Sequence, residues 1–182
     1  MVRALCILPM VLPPVVGGVA LLYAFGRRGL VGSILDDWFG IRLAFSEAGA
    51  VLAEFFVAAP FFIVVMEAAF ESIDSRLVGT ARTFGSGPWK TFFTVSLPLV
   101  RTSLIAGLAL TWARALGEFG ATITFAGNTP GRTQTVPLAV YSALESGNDS
   151  AIALSLLMMI VSVAVLVVLR NRWIDPLKRG GA

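Results

Sequence analysis

The chain has 182 residues, of which 57% are hydrophobic and 14% charged, and a mean hydropathy of +0.84. Soluble globular domains carry roughly a quarter charged residues, so the composition is that of an integral membrane protein with length for about four to five spans. Histidine is absent, the single cysteine is Cys6 and the net charge is +3, which excludes a disulfide framework, a Cys/His metal cluster, histidine-ligated haem and histidine acid–base catalysis within the chain.

Four apolar stretches follow in chain order. The first, Leu5–Phe25, runs 21 residues without a charge; it is too long for a signal peptide and has no small-residue cleavage site after it. The second, Ala50–Phe70, carries Glu54, Pro60 and Glu67, and the third runs from near Leu97 to about Ala115 with Arg101 and Arg114 inside it. The fourth, Ala151–Leu169, is uncharged. Each is close to the roughly 20 residues that a helix needs to cross the hydrocarbon layer. The runs do not alternate as barrel strands do, so helices are the expected spanning form. Pro13-Pro14 and Pro60 each remove backbone donors inside a span, and a kink or local unwinding is expected at both. Such a bend serves either helix packing or the lining of a path.

The connections also carry pattern. In "RRGLVGSILDDWFGIRLAF", Leu30, Ile34, Leu35, Trp38 and Phe39 recur at helical spacing, which predicts a short interfacial helix. "TVPLAVYSALESGND" predicts another, with Pro137 in its first turn and Gly147 at its end. If Glu71–Phe93 and the tail after Leu169 are cytoplasmic, the inside holds Arg3, Arg76, Arg82, Lys90, Arg170, Arg172, Lys178 and Arg179. Arg27, Arg28, Arg42 and Arg132 then lie outside. The excess of basic residues favours this orientation, with both ends of the chain cytoplasmic. No internal repeat or low-complexity tract is apparent, and the chain reads as one domain over residues 1–182.

Within the inner connection, "FGSGPWKTFF" (Phe84–Phe93) has two glycines and a Lys-Thr pair, like a phosphate-binding loop. A true phosphate loop places glycine directly before the lysine, so that bare N–H groups wrap the phosphates. Here Trp89 stands there, Pro88 removes a further donor, and a membrane span rather than a strand precedes the stretch. ATP binding by this chain is therefore not expected. The residues instead predict two helical pieces joined by a bend. Ser75 would cap the first piece, which Val78, Ala81, Arg82 and Phe84 carry to a stop at Gly85. Pro88 opens the second, with Trp89, Phe92, Phe93 and Val95 as an apolar stripe, and Pro98 would start the third span.

The spacing Ala81-x-x-x-Gly85, nine residues, then Val95-x-Leu97-Pro98 resembles the cytoplasmic loop signature of ABC importer permeases, E-A-A-x-x-x-G followed by nine residues and I-x-L-P. "PMVLPPVVGG" (Pro9–Gly18), "GRRGLVG" (Gly26–Gly32) and "RALGEFGATITF" (Arg114–Phe125) narrow the likeness to the permeases of molybdate importers and their tungstate and sulfate relatives. The likeness runs from about Leu8 to Arg170. Two departures stand out. Gly79 occupies the place of the motif glutamate, with Thr80 after it where alanine is usual. Family members also have at least one additional span before the "LPPVV" helix, so the chain is expected to lack the family's first span.

The resemblance implies an all-α, polytopic helical bundle whose residues 71–98 form a cytoplasmic coupling loop. Gly79, Ala81, Arg82, Phe84, Gly85, Pro88, Trp89, Phe92, Leu97 and Pro98 would make that loop, with Phe84, Gly85, Pro88 and Trp89 at the tip that docks on a separate ATP-binding subunit. ATP and Mg would be bound there, with no cofactor on this chain. The other implied partners are a second copy of the permease, an extracytoplasmic oxyanion-binding protein and membrane lipid; no nucleic acid is expected. The location would be the cytoplasmic (inner) membrane of a prokaryote.

A tetrahedral dianion crossing such a permease needs a few cationic and hydroxyl groups rather than a tight cage. Arg114, Glu118, Thr122 and Thr124 are the candidate path or gate residues, with Arg101 and Thr111 on the same span. Arg114 and Glu118, four apart on a helix, would pair with each other unless the anion takes the arginine. Glu67 and Glu71, like charges four apart at a helix C-terminus, call for a basic partner: Arg76, Arg82 or a residue of the ATP-binding subunit. The competing classes are a small intramembrane enzyme, for which no convergent set of reactive residues exists in the sequence, and a channel or scaffold without energy input.

Overall fold

In the computed structural model, which describes residues 1–179 with side chains through Val167, every apolar stretch is helical. Helix α1 (Val2–Val11) ends because Leu12 precedes Pro13 and is pushed into extended backbone, φ −68° and ψ 137°. Pro13 precedes Pro14 and is extended for the same reason, and α2 (Pro14–Phe25) then starts with proline in its first turn. The unwinding expected at Pro13-Pro14 is thus a complete break that divides the first apolar stretch into two short helices.

Helix α3 (Gly32–Phe39) is the expected short helix, ended by Gly40 in the left-handed conformation. Asp36 accepts from Arg27 Nε at 3.0 Å and from Arg42 Nε at 2.9 Å, which straps the segments on either side of α3 together. Helix α4 (Glu47–Glu71) begins at Ser46, whose Oγ accepts the Gly49 N–H at 3.1 Å. Its 25 residues make a rod of about 37 Å that continues through Pro60. The unwinding expected at Pro60 is absent. The proline is fully buried, so neighbouring protein rather than lipid packs against it.

The chain then turns into α5 (Ser75–Thr83) and α6 (Pro88–Thr91), followed by a π-helical segment (Phe92–Ser96) and the single turn α7 (Leu97–Leu99). Helix α8 (Arg101–Leu116) leaves at 71° to that run. Pro98 therefore does not start the third span. It lies before the elbow, and the straight helix begins three residues later, after Val100. Pro98 cannot donate to the carbonyl four residues back, and the Leu97 N–H reaches the Phe92 carbonyl five residues back, so one extra residue is accommodated in the turn just before the proline.

Helix α8 ends at Gly117, and α9 (Gly120–Phe125), α10 (Val136–Glu145) and α11 (Ser150–Arg179) complete the chain. Proline lies in the first turn of α10, and Gly147, at φ +64°, follows its end. Among the described residues two helices are long and apolar enough to cross a bilayer unaided, α4 and the Ser150–Val167 part of α11; the run Pro88–Leu99 with α8 makes a third as one bent unit.

Two cores hold these helices. Leu21, Ala53, Val57, Ala121 and Phe125 pack α2, α4 and α9 together, and Met66, Ala69 and Val100 pack the C-terminal end of α4 against the elbow. Helix α2 lies so close on α9 that a Cβ on Gly18 would stand 2.7 Å from Thr124 Cβ and 2.9 Å from the Ala121 carbonyl oxygen. Small residues permit this approach, as is usual where membrane helices have no hydrophobic driving force between them.

Candidate coupling loop and intramembrane ion pair

The α5–α6 connection is built from local signals. Helix α5 is capped by Asp74, not by Ser75: the Asp74 carboxylate accepts the Arg76 N–H at 2.8 Å, and Ser75 is already helical. The two neighbouring residues are both good caps, and no glutamate at the third helical position forms a capping box that would have told them apart.

At the other end, Phe84 closes the helix and Gly85 takes φ +81°. The Gly85 N–H donates to Arg82 O at 2.9 Å and the Ser86 N–H donates to Ala81 O at 3.1 Å, the paired bonds of a Schellman ending. Gly87 then precedes α6, whose first residue is Pro88, as the sequence predicts. Thr91, almost fully buried, turns its hydroxyl toward Ser86 O at 3.4 Å across the bend.

The bend displays its aromatics. Phe84 is 85% exposed and Trp89 76% exposed. The Trp89 ring lies 6.5 Å from that of Phe93, Phe93 meets Phe92 edge-on at 5.1 Å, and Phe92 stacks on Phe70 of α4 at 6.0 Å. The knob is thus continuous with the span that precedes it. Leu97 packs on the Met66–Ala69–Val100 core, so α6, the π segment and α7 carry the knob back into the bundle. Gly79 faces open space among the described residues: a Cβ added there would meet none of their atoms within 4 Å.

Glu67 finds its basic partner at Arg3 of α1, 3.2 Å away, rather than at Arg76 or Arg82. The contact joins residues 64 apart in sequence, so helical spacing carried no sign of it. Glu71, Arg76, Arg82 and Lys90 form no ion pair among the described residues. The tail residues Arg170, Arg172, Lys178 and Arg179, which bear on orientation, lie outside the described side chains.

Toward the other end of α8, Arg114 Nη1 pairs with Glu118 Oε2 at 2.8 Å, as the i,i+4 spacing predicts. Glu118 is only 1% exposed, and its Oε1 accepts the Ala121 N–H at 2.9 Å. One carboxylate therefore neutralises the arginine at the end of α8 and holds a free N–H at the start of α9. The Arg114 guanidinium also lies 6.0 Å from the centroid of the Phe61 ring. The Thr122 hydroxyl donates to Phe119 O at 2.9 Å and that of Thr124 to Gly120 O at 2.7 Å, so both serve their own turn of helix, and Thr122 is fully buried. The Thr111 hydroxyl, one turn before Arg114, is buried without a hydrogen-bond partner among the described residues.

The chain is thus a bundle of broken and bent apolar helices with a capped, aromatic-tipped helical hairpin between α4 and α8. Residues 1–180 match the family described as binding-protein-dependent transport system inner membrane component, and the chain belongs to it. Its relatives include the molybdenum transport system permease protein ModB of Escherichia coli, 44% identical over 172 residues that make up 94% of this chain and 75% of that protein. The ModB proteins of Haemophilus influenzae (43% identical, 92% of this chain, 73% of the relative) and Mycobacterium tuberculosis (48% identical, 91% of this chain, 62% of the relative) are similar over comparable stretches.

Proposed function

We propose that the chain is the permease subunit of an ATP-driven importer of molybdate, working as two copies with a separate ATP-binding subunit and an extracytoplasmic oxyanion-binding protein. The observation that carries this reading is the α5–α6 hairpin, a rigidly capped projection with an exposed aromatic tip in a chain similar to molybdenum transport permeases. A symmetric pair of copies encloses the path between them. The hairpin lies on the cytoplasmic side. Closure of two ATP-binding subunits there draws the hairpins together and rocks the spans between inward- and outward-facing arrangements. Hydrolysis takes place on the partner, and this chain contributes the path and the mechanical link.

The test is uptake of labelled molybdate by proteoliposomes that hold the permease with its ATP-binding subunit and receive the oxyanion-binding protein. ATP-dependent uptake, with tungstate and sulfate as competitors, is the expected result. Uptake that proceeds without ATP would show a channel instead, and preferential uptake of sulfate would reassign the substrate.

A further inference from the structure

At the end of α4 away from the hairpin, a cavity of about 270 Å³ opens between the C-terminal end of α2 and the segment that follows α3. Leu22 and Phe25 wall it on one side, Ile41, Leu43 and Phe45 on the other, and its charged lining is Arg27, Asp36 and Arg42. Backbone bonds hold the walls: the Leu30 N–H donates to Tyr23 O at 3.2 Å, the Val31 N–H to Ala24 O at 2.8 Å and the Phe45 N–H to Phe125 O at 3.1 Å. Asp36 takes the Nε of each arginine, and neither guanidinium has a further partner among the described residues. Both arginine side chains remain mostly exposed. Two guanidiniums against one carboxylate leave a positive charge in excess, and Asp37 and Glu47 do not line the cavity. Beside it, Leu30, Ile34 and Trp38 recur every four residues and are all exposed, an apolar stripe suited to a bilayer interface.

We propose that this cavity binds an anionic phospholipid, its phosphate on Arg27 and Arg42 and the upper part of an acyl chain between α2 and the segment after α3. The class of ligand follows from the combination of surfaces. A free oxyanion has no use for the apolar walls, and a hydrocarbon has none for two guanidiniums with donors to spare. Guanidinium groups hold phosphate oxygens through paired, charge-assisted bonds. A phosphatidylglycerol headgroup carries a single negative charge and matches the excess at the lining. Phosphatidylcholine brings a cation of its own, which that excess opposes. An acidic protein surface would meet the arginines and leave the apolar chamber empty. Tryptophan settles at headgroup depth, so Trp38 brings the arginines level with lipid phosphates. The site requires only that the chain is embedded in a membrane, and is independent of the importer's substrate and partners.

The test titrates the full chain in mild detergent with phosphatidylglycerol or phosphatidylcholine and counts bound lipid by native mass spectrometry. Phosphatidylglycerol is expected to be retained, with phosphatidylcholine bound about fivefold more weakly. R42Q is expected to weaken phosphatidylglycerol about tenfold, and R42K, which keeps the charge without the fork, to fall between. R28Q is expected to bind as the parent does, since Arg28 does not line the cavity. I41N makes an exposed part of the wall polar and is expected to weaken retention with both arginines in place. R42Q also loosens the Asp36 strap, so R42K and I41N distinguish lost binding from lost folding. Glycerol 3-phosphate, the same phosphate without acyl chains, is expected not to displace the lipid. Equal retention of the two lipids, or parental binding in both R42Q and I41N, would overturn the site. Displacement by glycerol 3-phosphate would overturn the lipid in favour of a free phosphate. Unchanged lipid retention in R42Q, with loss of binding to the oxyanion-binding protein, would overturn it in favour of a protein contact.

Discussion

Gly85 shows how much a single residue can carry. At φ +81° a β-branched side chain costs about 1–2 kcal/mol, and the two carbonyls that close α5 lose their donors if the turn opens. Gly85→Val is expected to abolish transport while leaving the amount of membrane-inserted protein unchanged, a contrast that uptake and fractionation measure side by side. Asp74→Ala removes the cap at the other end, for a loss of about 1 kcal/mol; faster hydrogen exchange confined to α5 would register it. Asp36 gives a pH effect. Hydrogen bonding from Arg42, joined by the charge of Arg42 and the contacts of Arg27, outweighs desolvation and holds its carboxyl below the usual 3.8. A depressed folded value means stabilisation that is present above the unfolded pKa and lost as pH falls through the folded one. Exchange protection of α3 amides should therefore stay constant down to pH 3.8 and fall only below it.

Among the elements, the sequence signals with a purely local cause were the legible ones. The break at Pro13-Pro14, the stop at Gly85, the start at Pro88 and the short helices α3 and α10 all follow from φ restrictions and missing donors within a few residues. Pro60 carries the same local signal, yet α4 runs on, because burial between neighbouring helices decides whether a freed carbonyl breaks a helix. The straight part of the third span starts a few residues beyond Pro98, which the sequence puts at its start, for a related reason. The proline's missing bond is absorbed upstream, in the π turn, before the chain bends. Close packing of α2 on α9 was equally hidden, since Gly18 reads as an ordinary apolar-span residue until Thr124 and Ala121 are placed against it. Gly18→Leu should force the two helices apart at a cost of about 1–3 kcal/mol, seen as a lower thermal midpoint in detergent.

For the molecule as a whole, the candidate site divides into a part that sequence spacing located and a part that depends on distant pairing. The hairpin and the Arg114–Glu118 pair belong to the first; Arg3 with Glu67, and the use of Glu118 to hold the start of α9, belong to the second. Glu118→Gln keeps an oxygen that can accept the Ala121 N–H but leaves Arg114 without its counter-charge. A loss of about 3 kcal/mol is expected, with part recovered when Arg114→Met is added. Unfolding midpoints of the two variants against the parent measure it, and equal midpoints would mean that lipid or water already satisfies the arginine.

The elbow at Val100 has a mechanical meaning. Its residue is 3% exposed and clamped by Met66 and Ala69 of α4, while the 16 residues of α8 extend from it as a rod of about 24 Å. With the knob as the docking face proposed above, a push delivered there would act on α8 through this clamped elbow. At that length a swivel of about 10° carries the far end through about 4 Å. That far end holds Arg114 and Glu118, so the stroke of such a lever would reach the buried carboxylate that fastens α8 to α9.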